Sequence, residues 1–378
     1  MNTLRYLVTG GGTGGHIYPA LAVCKMILSQ HSANEVVYVG SRRGLEAEIV
    51  PRERICFETI DVQGIMGKSM YGKARGVLSA ARSTLQATSL IRKHAPGVVL
   101  GTGGYVSGPV VLAAWMSGVP AAIQEQNAVP GATNRLLSRL VHRVFTPFKG
   151  TESHFAHRHK CVFTGNPIRP EILAATRDDS RHKLGLDPGR KVLFVFGGSR
   201  GARRIVELVL EILERRLLPE RVQVLLVTGA QYESDARERL SHLGISTSTG
   251  GDVIVRGYLH EIENALAASD LVVGRAGGMT VSEILARGLP SILIPSPNVT
   301  GNHQLYNARA ASTGGGALLM REQDATAVKL AQSIEQIILD DGILEKMAES
   351  ARALGRPRAT SDILEQLQSI ARVKPLAR

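Results

Sequence analysis

Aromatic residues make up only 4% of this 378-residue chain, and it has a single tryptophan. No recognisable nucleic-acid reading motif accompanies the high pI, so a nucleic-acid partner would rest on charge alone and is not expected. The three cysteines, Cys24, Cys56 and Cys161, are too widely spaced for a framework of bridges or a zinc knuckle, and read as reduced thiols. No apolar run approaches the roughly 18 residues that a spanning helix needs. Met1–Arg5 leads straight into a strand pattern, so no signal peptide is expected. Acid is scarce over a long stretch as well. Between Val62 and Thr151 the one carboxylate is Glu125, against ten Lys and Arg.

That scarcity locates the charge. The net charge is +12, from 45 basic and 33 acidic residues. Residues 1–166 carry 18 basic and 8 acidic side chains, a net of +10, while the remainder is close to neutral at +2. A basic half suits nucleic acid, an anionic membrane surface or a phosphorylated substrate. The length exceeds one ordinary core and favours two domains of roughly 150–190 residues.

Short β-branched runs alternate with Gly-rich turns and helical patterns. Tyr6–Thr9, Val36–Val39, Val98–Leu100 and Ala121–Gln124 read as buried strands, followed by Val192–Phe196, Val222–Val227, Val253–Val255, Leu271–Val273 and Ile292–Ile294. Such alternation implies α/β architecture with parallel sheets covered by helices on both faces. It restarts at Lys191, which argues for two doubly wound domains. The turn at Gly165–Asn166–Pro167 places the boundary, giving domains 1–166 and 167–378. Asp324–Leu339, Gly342–Leu354 and Thr360–Arg372 read as helices, and Pro357 separates the last two. The last helix, about 360–372, is a candidate to pack back on the first domain.

Much of the glycine (40 residues) clusters after strands. Gly10–Gly15 precedes His16 and a helix running through Ile17–Gln30, with Pro19 expected in the first turn. Glycines there let the backbone approach an anionic or sugar group, and a helix N-terminus offers free N–H donors. The spacing Gly10-x-Gly12-x-x-Gly15 also fits a dinucleotide fingerprint, with Arg42 and Arg43 placed for the extra phosphate of NADP. A dehydrogenase needs one such loop. This chain has further ones at Gly101–Pro109, at Gly197–Gly201 and at Arg275–Glu283. In the last, Thr280-x-x-Glu283 has the form of a capping box, so Glu283 either closes a helix end or meets a ribose diol.

Seven stretches carry a resemblance: GGGTGGHIYPALAV (10–23), GTGGYVSGPVVLAAW (101–115), QEQNAVPGATNRLL (124–137), TGNPIR (164–169), GGSRGAR (197–203), RAGGMTVSEILARGLPSILIPSP (275–297) and NHQLYNA (302–308). Together, in order and in both domains, they resemble the MurG family of bacterial peptidoglycan N-acetylglucosaminyltransferases. The resemblance implies a GT-B fold, two Rossmann-like domains about a central cleft. It also implies transfer of GlcNAc from UDP-GlcNAc to the 4-hydroxyl of a muramyl-pentapeptide carried on undecaprenyl diphosphate. Carried over residue by residue, Arg169 and Leu259 border the uridine and Ser199 a phosphate. Gly278, Met279 and Thr280 supply backbone donors, Glu283 takes the ribose hydroxyls and Gln304 the sugar hydroxyls. Thr13, Gly14, Gly15 and Asn127 reach the GlcNAc. Where the family often has histidine, this chain has Gln124.

The donor is an α-glycoside and the family's product is β-linked, so a single inverting displacement with a general base suffices. His16, at a helix start that lowers its pKa, is one candidate for the base. Glu125 is the other, although its basic surroundings weaken it as a base. No Asp-x-Asp motif is present, so no metal and no cofactor are expected. The acid-free segment Ile65–Leu78 mixes apolar and basic residues and suits an anionic lipid surface. A peripheral enzyme on the cytoplasmic face of the cell membrane is the expected setting. Two alternatives remain at this point: a related transferase acting on a lipid such as diacylglycerol, and an NADP-dependent oxidoreductase.

Overall fold

The computed structural model of the chain describes residues 4–30, 34–62, 70–197 and 202–372, with the side chains of these except 70–78 and 300. It divides into two compact units, Met1–Arg169 with Arg358–Arg378, and Pro170–Pro357. The crossing thus falls at Arg169–Pro170 rather than after Asn166, and the end of the chain leaves the second unit at Pro357.

Unit 1 contains β1 (Arg5–Thr9), α1 (Gly14–Gln30), β2 (Glu35–Ser41), α2 (Glu46–Arg52), β3 (Cys56–Ile60), α3 (Met70–His94), β4 (Val98–Gly101), α4 (Ser107–Met116), β5 (Ala121–Gln124), α5 (Ala132–Leu137), β6 (Arg143–Thr146) and β7 (Cys161–Phe163). The seven strands form one parallel sheet in the order β3-β2-β1-β4-β5-β6-β7. Three of them, β3, β6 and β7, go beyond the four strands read from the sequence. They flank the apolar centre and lack the continuous apolar runs that mark β1 and β2. Helix α1 begins at Gly14, which makes Pro19 its sixth residue rather than a first-turn one. Without an N–H, Pro19 cannot bond the Gly15 carbonyl four residues back.

Unit 2 contains α6 (Pro170–Ala174), α7 (Arg177–Leu184), β8 (Lys191–Phe196), α8 (Arg203–Glu214), β9 (Val222–Val227), α9 (Glu233–His242), β10 (Val253–Arg256), α10 (Ile262–Ala268), β11 (Leu271–Gly274), α11 (Gly278–Ala286), β12 (Ser291–Leu293), α12 (His303–Thr313), β13 (Ala317–Leu319), α13 (Ala327–Ile338) and α14 (Asp341–Leu354). Its six parallel strands run β10-β9-β8-β11-β12-β13. Helix α8 shows why sheet and helix associate. Ile205, Leu208, Val209 and Ile212 recur at helical spacing and all lie in the core with Leu193 and Val195 of β8.

The last helix, α15 (Ala359–Ile370), belongs to unit 1. Its Ile363, Leu364 and Leu367 are buried with Ile17, Leu21 and Cys24 of α1. Burying three aliphatic side chains stabilises this closure by roughly 1.5–3 kcal/mol each. The Thr360 hydroxyl donates to the Ile168 carbonyl at 3.2 Å, tying the helix to the linker it has rejoined.

Both sheets reverse their strand order at one place, between β1 and β4 in unit 1 and between β8 and β11 in unit 2. Ligands of open α/β sheets sit beyond the strand C-termini at such points. Each Gly-rich segment of the sequence follows one of these four strands. Residues 198–201, Ser199 among them, lie outside the described residues, as do residues 65–69 of the basic segment.

Candidate active site

In unit 1 the loops after β1 and β4 bind each other. The Gly11 N–H donates to the Gly103 carbonyl at 3.2 Å, and the Thr102 hydroxyl donates to the His16 carbonyl at 2.7 Å. There is no room for side chains at this crossing. A Cβ on Gly104 would stand 2.1 Å from the Gly11 carbonyl oxygen, and Gly104 already has φ +80.

His16 is the third residue of α1 and half-buried. Its Nδ1 lies 3.1 Å from the Gly11 carbonyl oxygen and 3.2 Å from Thr13 Oγ1. A carbonyl can only accept, so Nδ1 carries the proton and Nε2 keeps its lone pair. Nε2 faces the second loop, where a Cβ on Gly103 would come within 3.0 Å of it. Burial pushes the imidazole below its ordinary pKa, against the upward pull of the Gly11 hydrogen bond and of the Glu125 and Glu46 carboxylates. The direction is that expected from the sequence, but the main cause is burial rather than the helix terminus.

Glu125 follows β5 and is only 2% exposed. Its Oε1 accepts from the backbone N–H groups of Gln126 and Asn127, both at 3.0 Å, and from Asn127 Nδ2 at 3.3 Å. Its Oε2 accepts from the Gly131 N–H at 3.2 Å and from Asn134 Nδ2 at 2.8 Å. These donors are amides, not the cations that the local charge suggested. A carboxylate so engaged holds a loop in shape, and the loop presents Asn127. Gln124 is fully buried and bridges to Asn166 Oδ1 at 2.6 Å. Gln126 Nε2 grips the Thr102 carbonyl at 2.5 Å, joining this loop to the one after β4.

Arg169, the final residue of unit 1 before the crossing, lies over the Tyr18 ring at 5.1 Å. Thr13, Gly14 and Gly15 occupy the turn into α1, and Gly15 is exposed.

In unit 2 the loop after β11 leads into α11, whose N-cap is Gly277 in an extended conformation. Thr280 is therefore the third helical residue and not the cap, and the expected Thr280–Glu283 capping box does not form. Gly278, Met279 and Thr280 form the first turn, which contains no acidic residue. A helix start of this kind suits an anion. Glu283 is 8% exposed in the following turn. The Asn307 side chain donates to the Ala276 carbonyl at 3.0 Å, and Arg275 Nη1 to the Ile294 carbonyl at 3.0 Å, fixing the loop from two sides. The Ser296 N–H donates to Gln304 Oε1 at 2.9 Å, which points the amide as a donor toward other groups. Leu259 is half-buried in the loop between β10 and α10.

Sequence reasoning missed Glu46, Gln126, Asn134 and Asn307. Glu46, Gln126 and Asn307 act through partners in other segments, and Asn134 acts through Glu125 of its own loop. Among the described residues no cluster of His, Cys, Asp and Glu could hold a metal ion. Arg42, offered to an NADP phosphate by the alternative reading, pairs with Asp61 at 3.3 Å.

Residues 6–146 match the glycosyltransferase family 28 N-terminal domain, and residues 192–364 its C-terminal domain. A protein of Desulforamulus reducens named UDP-N-acetylglucosamine--N-acetylmuramyl-(pentapeptide) pyrophosphoryl-undecaprenol N-acetylglucosamine transferase is 42% identical, over 97% of this chain and 99% of its own. One of the same name from Halalkalibacterium halodurans is 42% identical over 98% and 100%. The crystal structure of Acinetobacter baumannii MurG superposes with a TM-score of 0.75 at 25% identity, covering 97% of this chain and 99% of that one. Neither the diacylglycerol transferase nor the NADP oxidoreductase finds support in these relatives. With both domain models matched and relatives similar over nearly the whole length, the chain belongs to glycosyltransferase family 28, in its MurG branch of GT-B fold.

Proposed function

We propose that this chain transfers GlcNAc from UDP-GlcNAc to the 4-hydroxyl of undecaprenyl-diphosphate-linked MurNAc-pentapeptide, with inversion, and that His16 is the general base. The near full-length similarity to transferases of that name supports the reaction. The observation that carries the chemistry is the commitment of His16 Nδ1 to the Gly11 carbonyl, which leaves Nε2 as the acceptor.

The acceptor's 4-hydroxyl loses its proton to Nε2 as its oxygen bonds to C1 of the sugar. The bond from C1 to the diphosphate oxygen breaks on the opposite face, and UDP leaves with the electron pair. Charge on the departing diphosphate meets the N–H groups of Gly278, Met279 and Thr280 at the head of α11, which act without reorganising. Glu283 takes the ribose diol, Gln304 the sugar hydroxyls through its amide N–H, and Leu259 and Arg169 border the uridine. Ser199 is assigned a phosphate by resemblance alone. Thr13, Gly14, Gly15 and Asn127 receive the GlcNAc. Glu125 is assigned to shaping the loop that bears Asn127.

Thermal shift with a ligand panel tests donor and reaction class together. UDP-GlcNAc is expected to raise the unfolding midpoint, UDP-Glc and UDP-GalNAc to raise it less, and NADPH to leave it unchanged. Stabilisation by NADPH with indifference to UDP-GlcNAc would overturn the reading.

The lipid-linked acceptor calls for a peripheral site on the cytoplasmic face of the membrane. No helix among the described residues is long and apolar enough to cross a bilayer. Support for a membrane face comes from Leu85 on α3 and from Trp115 and Met116 on the adjoining α4, which are 71%, 51% and 61% exposed. These apolar side chains and the basic 65–78 segment suit anionic lipid, where each nearby Lys or Arg contributes about 1 kcal/mol. Co-sedimentation with liposomes should rise with anionic lipid and fall with salt; indifference to both would remove the patch from the mechanism.

A further inference from the structure

Glu46 is the first residue of α2 and only 1% exposed, an unusual place for a carboxylate. Its Oε2 accepts from the Gly12 N–H at 2.9 Å, and its Oε1 from the N–H and hydroxyl of Ser41 at 3.0 and 2.6 Å. Burial opposes its ionisation. The Ser41 hydroxyl and the Gly12 and Ser41 N–H groups outweigh that cost and hold the carboxyl below the ordinary glutamate range. Glu46 is thus an anion under the first glycine loop, thirty-four residues away from Gly12 in sequence.

The Gly12 N–H and the Gly11 C=O belong to one peptide group. In a trans peptide they point in opposite directions. Glu46 holds the N–H end at 2.9 Å, and the C=O end meets His16 Nδ1 at 3.1 Å. Both glycines are required for this. A Cβ on Gly11 would stand 2.4 Å from Glu46 Oε1, and Gly12 has φ +84. A carboxylate on one side of a peptide group and an imidazole N–H on the other form a chain of hydrogen bonds that polarise one another.

We propose that Glu46 is a positioning residue for His16, fixing the imidazole as the Nδ1–H tautomer through the Gly11–Gly12 peptide and so keeping Nε2 a proton acceptor. The peptide does the work that a directly bonded carboxylate does for histidine in a hydrolase triad. The inference rests on the proposed role of His16 as base and names what orients it. Glu125 also bears on the imidazole by its charge. It donates nothing to and accepts nothing from the Gly11–Gly12 peptide, so its effect is on proton affinity and not on which nitrogen holds the proton.

The test uses the full-length enzyme with 15N-labelled histidine, following tautomer and titration of His16 by NMR beside acceptor kinetics. E46A is expected to lower kcat about 10- to 100-fold and to mix the two tautomers, with KM for UDP-GlcNAc unchanged. E46Q can keep its oxygen on the Gly12 N–H while losing the charge. Its NH2 then faces Ser41, whose hydroxyl can turn to accept but whose N–H loses its acceptor, so a lower unfolding midpoint accompanies it. It should retain the Nδ1–H tautomer, recover most of kcat, and titrate His16 at lower pH. E125Q should also lower the titration of His16 and leave the tautomer alone. A wild-type tautomer and kcat in E46A overturn the proposal. If E46A does not fold, E46Q decides: a kcat as low as that of H16A, or loss of the Nδ1–H tautomer of His16, overturns it as well. H16A separates this from the parent reading. An active H16A enzyme removes the base, whereas an inactive H16A beside a fully active E46A removes only the role of Glu46.

Discussion

The loop after β5 surrounds Glu125 with amide donors from its own residues 126–134, whereas the loop after β1 is held by Glu46 from a different helix. Both carboxylates are buried in unit 1, and both influence His16. The difference lies in what each leaves free. Glu125 draws its surrounding chain into a closed, self-satisfied turn. Glu46 takes one end of a peptide group and so turns the other end toward the imidazole. A buried carboxylate can thus stiffen a loop or aim a neighbouring group, and the partner list decides which.

Three substitutions would break or sharpen this contrast. H16A has the largest expected effect, a fall in kcat of about 100- to 10,000-fold with KM for UDP-GlcNAc nearly unchanged. Wild-type rate in that variant would leave the base to some other group. The pH profile adds to it. A base must be neutral, and burial lowers the pKa of His16, so its neutral form persists to lower pH. The acid limb of kcat/KM for the acceptor should therefore lie below about pH 6.5 and vanish with the imidazole. A limb above that value would contradict the assignment.

E125Q comes second. The new NH2 must face donors at one of its two oxygens, so the loop has to shift, at a cost of about 1–3 kcal/mol. A loss of about 10- to 100-fold in kcat/KM is expected, along with a lower unfolding midpoint. A change in rate with no change in midpoint would return Glu125 to the list of bases.

The smallest effect on rate is expected from R181M, which serves as a control in unit 2. Arg181 is 3% exposed and pairs with Asp270 at 2.9 Å while donating to the Ala268, Asp187 and Pro188 carbonyls. Asp270 also accepts from the Val192 N–H at 2.7 Å, binding the N-terminal ends of β8 and β11, at the opposite end of these strands from the loops that follow them. Breaking such a pair costs about 3–5 kcal/mol. Urea titration should register that loss, while kcat and KM below the transition stay within about twofold. A large change in KM would mean that strain at the foot of the sheet reaches the loops.

The sequence alone was enough for the two-domain α/β architecture, because β-branched runs alternating with helical periods leave few other packings. It also located the glycine loops, His16 and Glu125, and the resemblance carried by its motifs supplied a reaction. It could not tell a capping Thr280 from a residue inside α11, since the cap depends on where the backbone turns. Strands β3, β6 and β7 lacked a continuous apolar run, and the return of α15 to unit 1, a candidate from the sequence, rests on the apolar face of α1.

What only the tertiary structure decided is adjacency. Strand order puts β1 beside β4 and β8 beside β11, and in unit 1 this brings glycine segments some ninety residues apart in sequence to a single point of reversal. The same adjacency sets Glu46 under Gly12, thirty-four residues away in sequence. The physical reason is common to all of these. Residue types and their periods determine which elements form, whereas hydrogen bonds between distant segments exist only once a sheet has chosen its neighbours.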